Sequence, residues 1–373
     1  FKGESFHTSR WNYNVDLKGK RVGVIGTGAT AVQVVPEIAK VVKELYVFQR
    51  TPSSIDVRDQ RETTQEEIDQ WKTESGWAKA RRARFAKISS GRTALKANDE
   101  YLAGKVADFK ERKQHARELS AEEMMTKQLD TNFRIMEQIR TRVDNIVEDP
   151  ETAQALKPYY PYGCKRPAFH DEFLPTFNLP HVNLVDTAPS GVSKINERGV
   201  VHEGREYPLD VLIYATGFKW MEAATFNMVE GRGGQTLQEK WEEKGTQTFL
   251  GIHSNGFPNL FIVAGPQGGG GSFNFTDALE VHGDYLVWLL ETMREKGASA
   301  VDVDKAQEEV YVEHCKQVDI QTSAFRDCYS YYNGEGKAEP GSLSYYGGGL
   351  SLIHISEPTR QEAISYAVFC LKK

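Results

Sequence analysis

Cysteine is scarce: four in 373 residues, at 164, 315, 328 and 370, with no CxxC and no Cys/His spacing. Neither a zinc site, nor any other metal site, nor a disulfide framework is expected from that pattern, and a reducing compartment, the cytoplasm, is the simpler setting. Also absent is any apolar run near the ~18 residues of a membrane span. Nor is there a basic excess. Lys and Arg number 46 against 52 Asp and Glu, a net charge of −6, which leaves no footprint for nucleic acid. What remains, 39% hydrophobic and 26% charged, is the composition of a globular chain long enough for two or three domains.

Residues 17–50 are the clearest unit. An apolar strand, Val22 to Ile25, runs into a glycine turn, a helix and a second strand at Leu45 to Phe48, a βαβ pattern. Within the helix Ala31, Val34, Val35, Ile38, Val41 and Val42 keep a helical stripe, while Pro36 removes one hydrogen bond and predicts a kink. From Arg58 to Asp149 the text turns to Glu, Lys, Arg, Gln and Ala, which predicts an all-helical insertion with solvated faces such as Lys79 to Arg84. Short β-rich pieces return after Pro161: His181 to Val185, Val200-Val201, and Val211 to Tyr214. A strand at Leu260 to Val263 and a helix over Asp277 to Lys296 follow, with Gly268 to Gly271 between them.

Gly26-Thr27-Gly28-Ala29-Thr30-Ala31 reads GxGxxA between a strand and a helix. Glycines there permit a tight turn and close approach of a pyrophosphate to the positive end of the helix. An NAD site places an acid near the end of the second strand, to accept ribose hydroxyls. This chain has Gln49-Arg50-Thr51 instead, and an Arg with a Thr hydroxyl suits the 2′-phosphate of NADP. A surface Arg that binds nothing is the alternative at Arg50, and a flexible linker the alternative at Gly268 to Gly271.

Phe1, Gly3, His7 and Trp11 spell FxGxxxHxxxW. With the GxGxxA turn, Phe48 to Thr51, Cys164-Lys165-Arg166-Pro167, Ala215-Thr216-Gly217-Phe218 and Tyr331 to Gly336, the chain resembles the Baeyer-Villiger flavin monooxygenases over nearly all of residues 1–349. One departure is Asn12, where that family usually has Pro or Asp. The resemblance implies FAD and NADPH as cofactors and an α/β fold with two Rossmann-like dinucleotide-binding domains, the NADP one carrying the helical insertion. The first, FAD-binding glycine motif is expected amino-terminal to this chain, so the FAD domain is incomplete and the fragment inactive alone. In the family NADPH reduces the flavin, O2 reacts with it, and one oxygen is inserted beside a ketone carbonyl to give an ester or lactone. A ketone and O2 are thus the implied partners, with no partner protein. An N- or S-oxidising flavin monooxygenase and an NADPH-dependent flavin reductase stay open.

By position the resemblance makes Arg166 the active-site arginine, a task suited to a guanidinium that cannot lose its charge. Gly26, Thr27, Gly28, Ala29, Thr30, Arg50, Thr51, Lys165, Ala215, Thr216 and Gly217 are the expected cofactor-binding residues, and His7 and Trp11 couple the domains. Tyr329, Tyr331 and Tyr332 are read as core or interface packing. The expected organisation is a linker at 1–16, an NADP-binding domain at 17–57 and 159–218, a helical insertion at 58–158, and the carboxy-terminal part of the FAD domain at 219–349. Residues 350–373 resemble the in-frame translation of a sequencing-library adapter, with Gln361-Glu362-Ala363 where a variable index falls, and are expected to contribute no packed structure.

Overall fold

The computed structural model describes residues 1–73, 75–89, 121–218, 224–268, 275–317, 328–330 and 369–372. Two compact units are present, Phe1–Thr63 with Met125–Lys219, and Thr64–Met124 with Trp220–Lys373. The division falls inside the helical stretch.

In chain order the first unit contains β1 (Glu4–His7), β2 (Arg21–Ile25), α1 (Ala29–Ala39), β3 (Glu44–Gln49) and the short β4 (Ile55–Asp56). Helices α2 (Gln65–Thr73) and α3 (Trp77–Ser89) belong to the other unit, and α4 (Ala121–Ile146) crosses the division. Then come α5 (Pro150–Leu156), β5 (Ala168–Phe169), α6 (Phe173–Thr176), β6 (Val182–Asp186), β7 (Lys194–Ile195), β8 (Gly199–His202), β9 (Arg205–Pro208) and β10 (Val211–Tyr214). Five strands form one sheet in the order β1-β10-β2-β3-β6, every pair parallel. This is a Rossmann-type α/β sheet.

Its central strands β10, β2 and β3 are largely apolar on both faces because both faces are covered. Val22, Val24, Leu45, Val47, Leu212 and Ile213 are fully buried. Helix α1 lays Ala31, Val32, Val35 and Ile38 on one face and runs unbroken through the buried Pro36. On α4 the stripe Met136, Ile139, Val143, continued by Val147, is buried at helical spacing. Asp149 caps α5, its carboxylate accepting from the Thr152 N–H at 2.8 Å, with Pro150 at the first helical position. Such short, capped elements hold the loops at the carboxyl ends of the strands.

The second unit adds α7 (Ala224–Met228), α8 (Leu237–Lys244), α9 (Phe275–Lys296), β11 (Ala300–Val303), α10 (Lys305–Gln317) and β12 (Phe369–Lys372). A capping box starts α8, with Thr236 and Glu239 bonding each other's backbone N–H. Across α8 and α10 Lys240 lies buried against Glu308, donating to both carboxylate oxygens at 3.0 and 2.8 Å, to Ser254 Oγ and to the Asn255 carbonyl. Burial pushes the Lys240 ammonium down and the Glu308 carboxyl up. The complete set of partners is what makes that pair tolerable.

Three expectations are corrected. Leu260 to Val263 is not a strand: Asn259 and Ala264 hold positive φ at 61° and 51°, and Leu260 N–H closes a turn on the Phe257 carbonyl. Apolar, β-branched text there serves a packed loop, with Leu260 and Ile262 against Leu237, Trp241 and Phe257. Cys164 and Cys328 are each disulfide-bonded, while Cys315 is buried and outside any disulfide. Neither cysteine sits in a spacing motif, so counting could not reveal its bonding. Finally, Phe369–Lys372 does form structure, pairing antiparallel with β11 from Ala300↔Lys372 to Val303↔Phe369. The open edge of a short strand offers unpaired N–H and C=O groups to any β-prone segment. The rest of 350–373 lies outside the described residues, as do Gly269 to Gly271, Tyr331 and Tyr332. Tyr329 is 52% exposed, so it is not a core residue.

Candidate nucleotide site

The glycine turn sits where β2 ends and α1 begins. Gly26 has φ +110°, and a Cβ added to it would lie 2.5 Å from the Ala215 carbonyl oxygen. Two segments far apart in sequence meet there because β10 lies beside β2, the Ala215 N–H donating to the Ile25 carbonyl at 2.9 Å. Gly28 is different in kind. It is the N-cap of α1, no side chain caps the helix, and a Cβ on it would meet nothing within 4 Å. The free N–H groups of Ala29 and its neighbours therefore face open space, which suits an anion. Thr30 is partly exposed on the same first turn.

Thr27 is buried and its hydroxyl is already used, donating to the Thr51 carbonyl at 2.9 Å. Ser53 returns the contact, its Oγ donating to the Thr27 carbonyl at 2.6 Å. These two bonds stitch the segment after β3 to the glycine turn. Arg50 is exposed at that strand end, its stem passing Gly191, where an added Cβ would touch its Cδ at 3.7 Å. Gln49, one residue earlier, is buried and donates to the Ala155 carbonyl at 2.7 Å.

Lys165 reaches the same segment through Tyr160. Its ammonium lies 5.7 Å from the Tyr160 ring centre, and the Tyr160 hydroxyl accepts from the Ser54 N–H at 2.9 Å. Burial holds the Tyr160 phenol above its ordinary range. Arg166 is exposed and makes no hydrogen bond or ion pair among the described residues. Its backbone is anchored by the next strand, Ala168 N–H donating to the Ser54 carbonyl and β5 pairing with β4. Thr216 and Gly217 are exposed past the end of β10, Gly217 at φ +89°.

His7 closes β1 opposite Tyr214. Its Nδ1 accepts from the Ser9 N–H at 3.1 Å, which fixes the tautomer with the proton on Nε2, and its ring meets the edge of Phe218 at 5.6 Å. Trp11 packs edge-on to Phe6 at 5.0 Å and against the core. The structure thus brings Gly26–Thr30, Thr51 and Ala215 together and ties Lys165 to the segment after Thr51, while His7 and Trp11 lie at the β1 end of the sheet.

Sequence reasoning missed Ser53, Ser54, Tyr160 and a cleft of about 750 Å³ beside them. Thr51, Pro52, Pro150, Tyr159, Tyr160 and Asp186 are among its lining residues. No sequence motif distinguishes tyrosines such as Tyr159 and Tyr160 from packing.

In the second unit, the turn Ala264 to Gly268 is unusually constrained. Ala264 and Gln267 hold positive φ, and the fully buried Gln267 amide bonds Thr248 and the Thr246 carbonyl. Gly251 and Gly268 meet backbone to backbone, a Cβ on the first lying 2.1 Å from the second's Cα. His282 Nδ1 accepts from the Ala264 N–H, which ties α9 to this turn.

No protein-family profile matches the chain. It is 38% identical over 373 residues to a Baeyer-Villiger monooxygenase of Streptomyces coelicolor, covering 95% of this chain and 61% of that protein. Pentalenolactone D synthase of Streptomyces arenae is 38% identical over 399 residues, covering 97% and 64%. Among solved structures, polycyclic ketone monooxygenase from Thermothelomyces thermophila superposes with a TM-score of 0.84 at 34% identity, over 100% of this chain and 64% of that one. A steroid monooxygenase bound to NADP gives 0.78 at 26%, over 100% and 71%. The chain spans about three fifths of the length of the curated relatives it matches. In sequence and in fold alike, the chain is similar to Baeyer-Villiger monooxygenases over nearly its whole length.

Proposed function

We propose that the first unit binds NADPH for a flavin monooxygenase that inserts one oxygen of O2 beside a ketone carbonyl, giving an ester or lactone. The observation that carries this is the uncapped start of α1 at Gly28, open to solvent, with Arg50 and Thr51 at the end of the neighbouring strand. The α1 amides would hold the pyrophosphate. Arg50, the Thr51 hydroxyl and Lys165 would surround the 2′-phosphate, where no carboxylate stands among the three to repel it. Ala215, Thr216 and Gly217 would close over the turn with backbone groups only.

FAD, when bound, supplies the relay of electrons from NADPH to O2. In the second unit Gly251 and Gly268 fill each other's side-chain space, so the turn between α8 and α9 is held rigid by the fold itself. The role we assign to Arg166 is to hold a permanent positive charge where negative charge develops during oxygen transfer, and its lack of an internal partner suits that role. His7 and Trp11 we read as coupling residues, and the organisation into NADP-binding, helical and FAD-binding parts belongs to the same proposal. No helix among the described residues is long and apolar enough to cross a membrane. A cytoplasmic setting is part of this reading.

Titration of this chain with NADPH and NADH tests the first half. Tighter NADPH binding supports it, and equal affinities overturn the assignment of Arg50 and Thr51. Product analysis tests the second half: a full-length protein carrying residues 1–349 should turn a ketone into an ester, and sulfoxide from a thioether as sole product would overturn it.

A further inference from the structure

We propose that Asp186 reads the amino edge of the adenine ring in the cleft beside Thr51, and so determines which base the nucleotide carries. The inference rests on the NADPH reading and goes beyond it to a residue and a chemical contact.

The cleft opens at the carboxyl ends of β3 and β6, where Asp186 stands opposite Gln49 in the sheet register. At about 750 Å³ it is large enough for a nucleoside. Its walls are flat and apolar: Pro52, Pro150, Tyr160 and Ala188 line it together with Tyr159. Tyr159 is 67% exposed yet fixed in place, with the Arg140 guanidinium 5.3 Å from its ring centre and the Gln154 amide donating to its hydroxyl at 2.8 Å. An aromatic heterocycle matches such walls.

The polar groups decide which heterocycle. Lys157 is the lining cation, and it is already neutralised by Asp144 at 2.6 Å, with Gln154 Oε1 beside it at 3.3 Å. The Gln154 amide is committed to Tyr159. That leaves two carboxylates, Asp186 and Glu151, without a cation partner among the described residues. Asp186 is also oriented, its Oδ1 accepting from the Ala188 N–H at 3.0 Å. A carboxylate is an acceptor only. The cleft therefore repels phosphate, which keeps the 2′-phosphate at Arg50, and favours a ring that presents hydrogen-bond donors. Adenine does so through its exocyclic amine. A 6-oxopurine keeps a donor at N1–H but puts an acceptor oxygen where adenine puts its amine, so at the C6 position it would set oxygen against oxygen.

The test compares NADPH with its 6-oxo analogue, reduced nicotinamide hypoxanthine dinucleotide phosphate, on this chain. Wild type should prefer NADPH by about ten- to a hundredfold, the range for one hydrogen bond to a charged group. Asp186→Ala should bind both nucleotides alike, at the weaker level. Asp186→Asn, whose amide can donate to the 6-oxo group, should narrow or reverse the preference, and it guards against a misfolded Ala variant. Equal affinities in wild type, or a preference that survives Asp186→Ala, overturn the role of Asp186 while NADPH binding stands. Failure of wild type to bind NADPH at all overturns the underlying reading as well.

Discussion

Alanine at Gly26 and alanine at Gly28 should fail in opposite ways. At Gly26 the backbone sits at φ +110°, where an L-residue costs ~1–3 kcal/mol. The new Cβ would also stand 2.5 Å from the Ala215 oxygen and 3.1 Å from its carbonyl carbon. Ala215 cannot step aside, because its own N–H is bonded to Ile25 and β10 is locked between β1 and β2. Overpacking of that kind adds roughly 1–3 kcal/mol, so Gly26→Ala should lose about 3 kcal/mol or more of stability. Gly28 has φ −73° and ψ −177°, open to any residue, and its Cβ would touch nothing in the protein. Exchange at the N-cap costs under about 1 kcal/mol. The same Cβ would occupy the approach to the α1 amides, so NADPH affinity should fall about tenfold or more, ~1.4 kcal/mol. Urea melts followed by circular dichroism, paired with NADPH titrations, separate the two outcomes. A Gly28→Ala protein that binds NADPH as tightly as the parent would show that no pyrophosphate lies there.

Other perturbations carry equally definite expectations. Arg50→Ala should weaken NADPH binding by about ten- to a hundredfold and leave NADH nearly unchanged, the loss of one charge-assisted contact, as measured by calorimetry. Arg166→Ala, in a full-length protein carrying this chain, should keep NADPH-driven flavin reduction yet lower ester formation by ~10²-fold, with Lys a poor replacement. Unchanged ester formation would remove Arg166 from the chemistry. Stability should also fall in mild acid. Burial, with the nearby His282 second, holds His253 down to about 3, below the ordinary 6.5, and Tyr285 OH lies 2.8 Å from its Nε2. The unfolded chain takes up a proton below pH 6.5 that the folded one refuses, so this stability is complete above 6.5 and lost as pH falls toward 3. The slope is about 1.4 kcal/mol per pH unit. Urea midpoints at pH 7.5 and 5.5 should differ more for the parent than for His253→Gln.

How much of this was legible depended on whether the signal was local. The βαβ unit was readable because Val22 to Ile25, the glycine turn and the α1 stripe repeat the sheet and helix periods within thirty-odd residues. Val211 to Tyr214 stood out as a strand, but its place between β1 and β2 did not, since order in a parallel sheet is set by crossovers rather than by local text. For the same reason the contact of Ala215 with Gly26 was invisible. Leu260 to Val263 misled because apolar, β-branched residues suit a buried loop as well as a strand, and the deciding facts are the positive φ values at Asn259 and Ala264. Lys240 and Glu308 could not have been matched either: each reads as a solvated helix charge until α8 and α10 are packed.

Where charges are paired is itself informative. At the amino ends of the strands Arg21 and Asp210 hold each other at 2.7 and 3.2 Å, and the Arg21 N–H donates to the same carboxylate, which keeps Asp210 down at about 2. That pair fixes β10 against β2 and has little capacity left for a ligand. At the carboxyl ends the pattern inverts. Among the described residues Asp186 accepts only from a backbone N–H, and the α1 amides have no side-chain cap. Folding alone gives no reason to leave an oriented carboxylate and a helix start unsatisfied at one edge of a sheet whose other edge carries a closed ion pair. In open α/β sheets ligands bind at the carboxyl ends of the strands, and the unspent polar groups lie along that edge, beside Arg50 and Thr51.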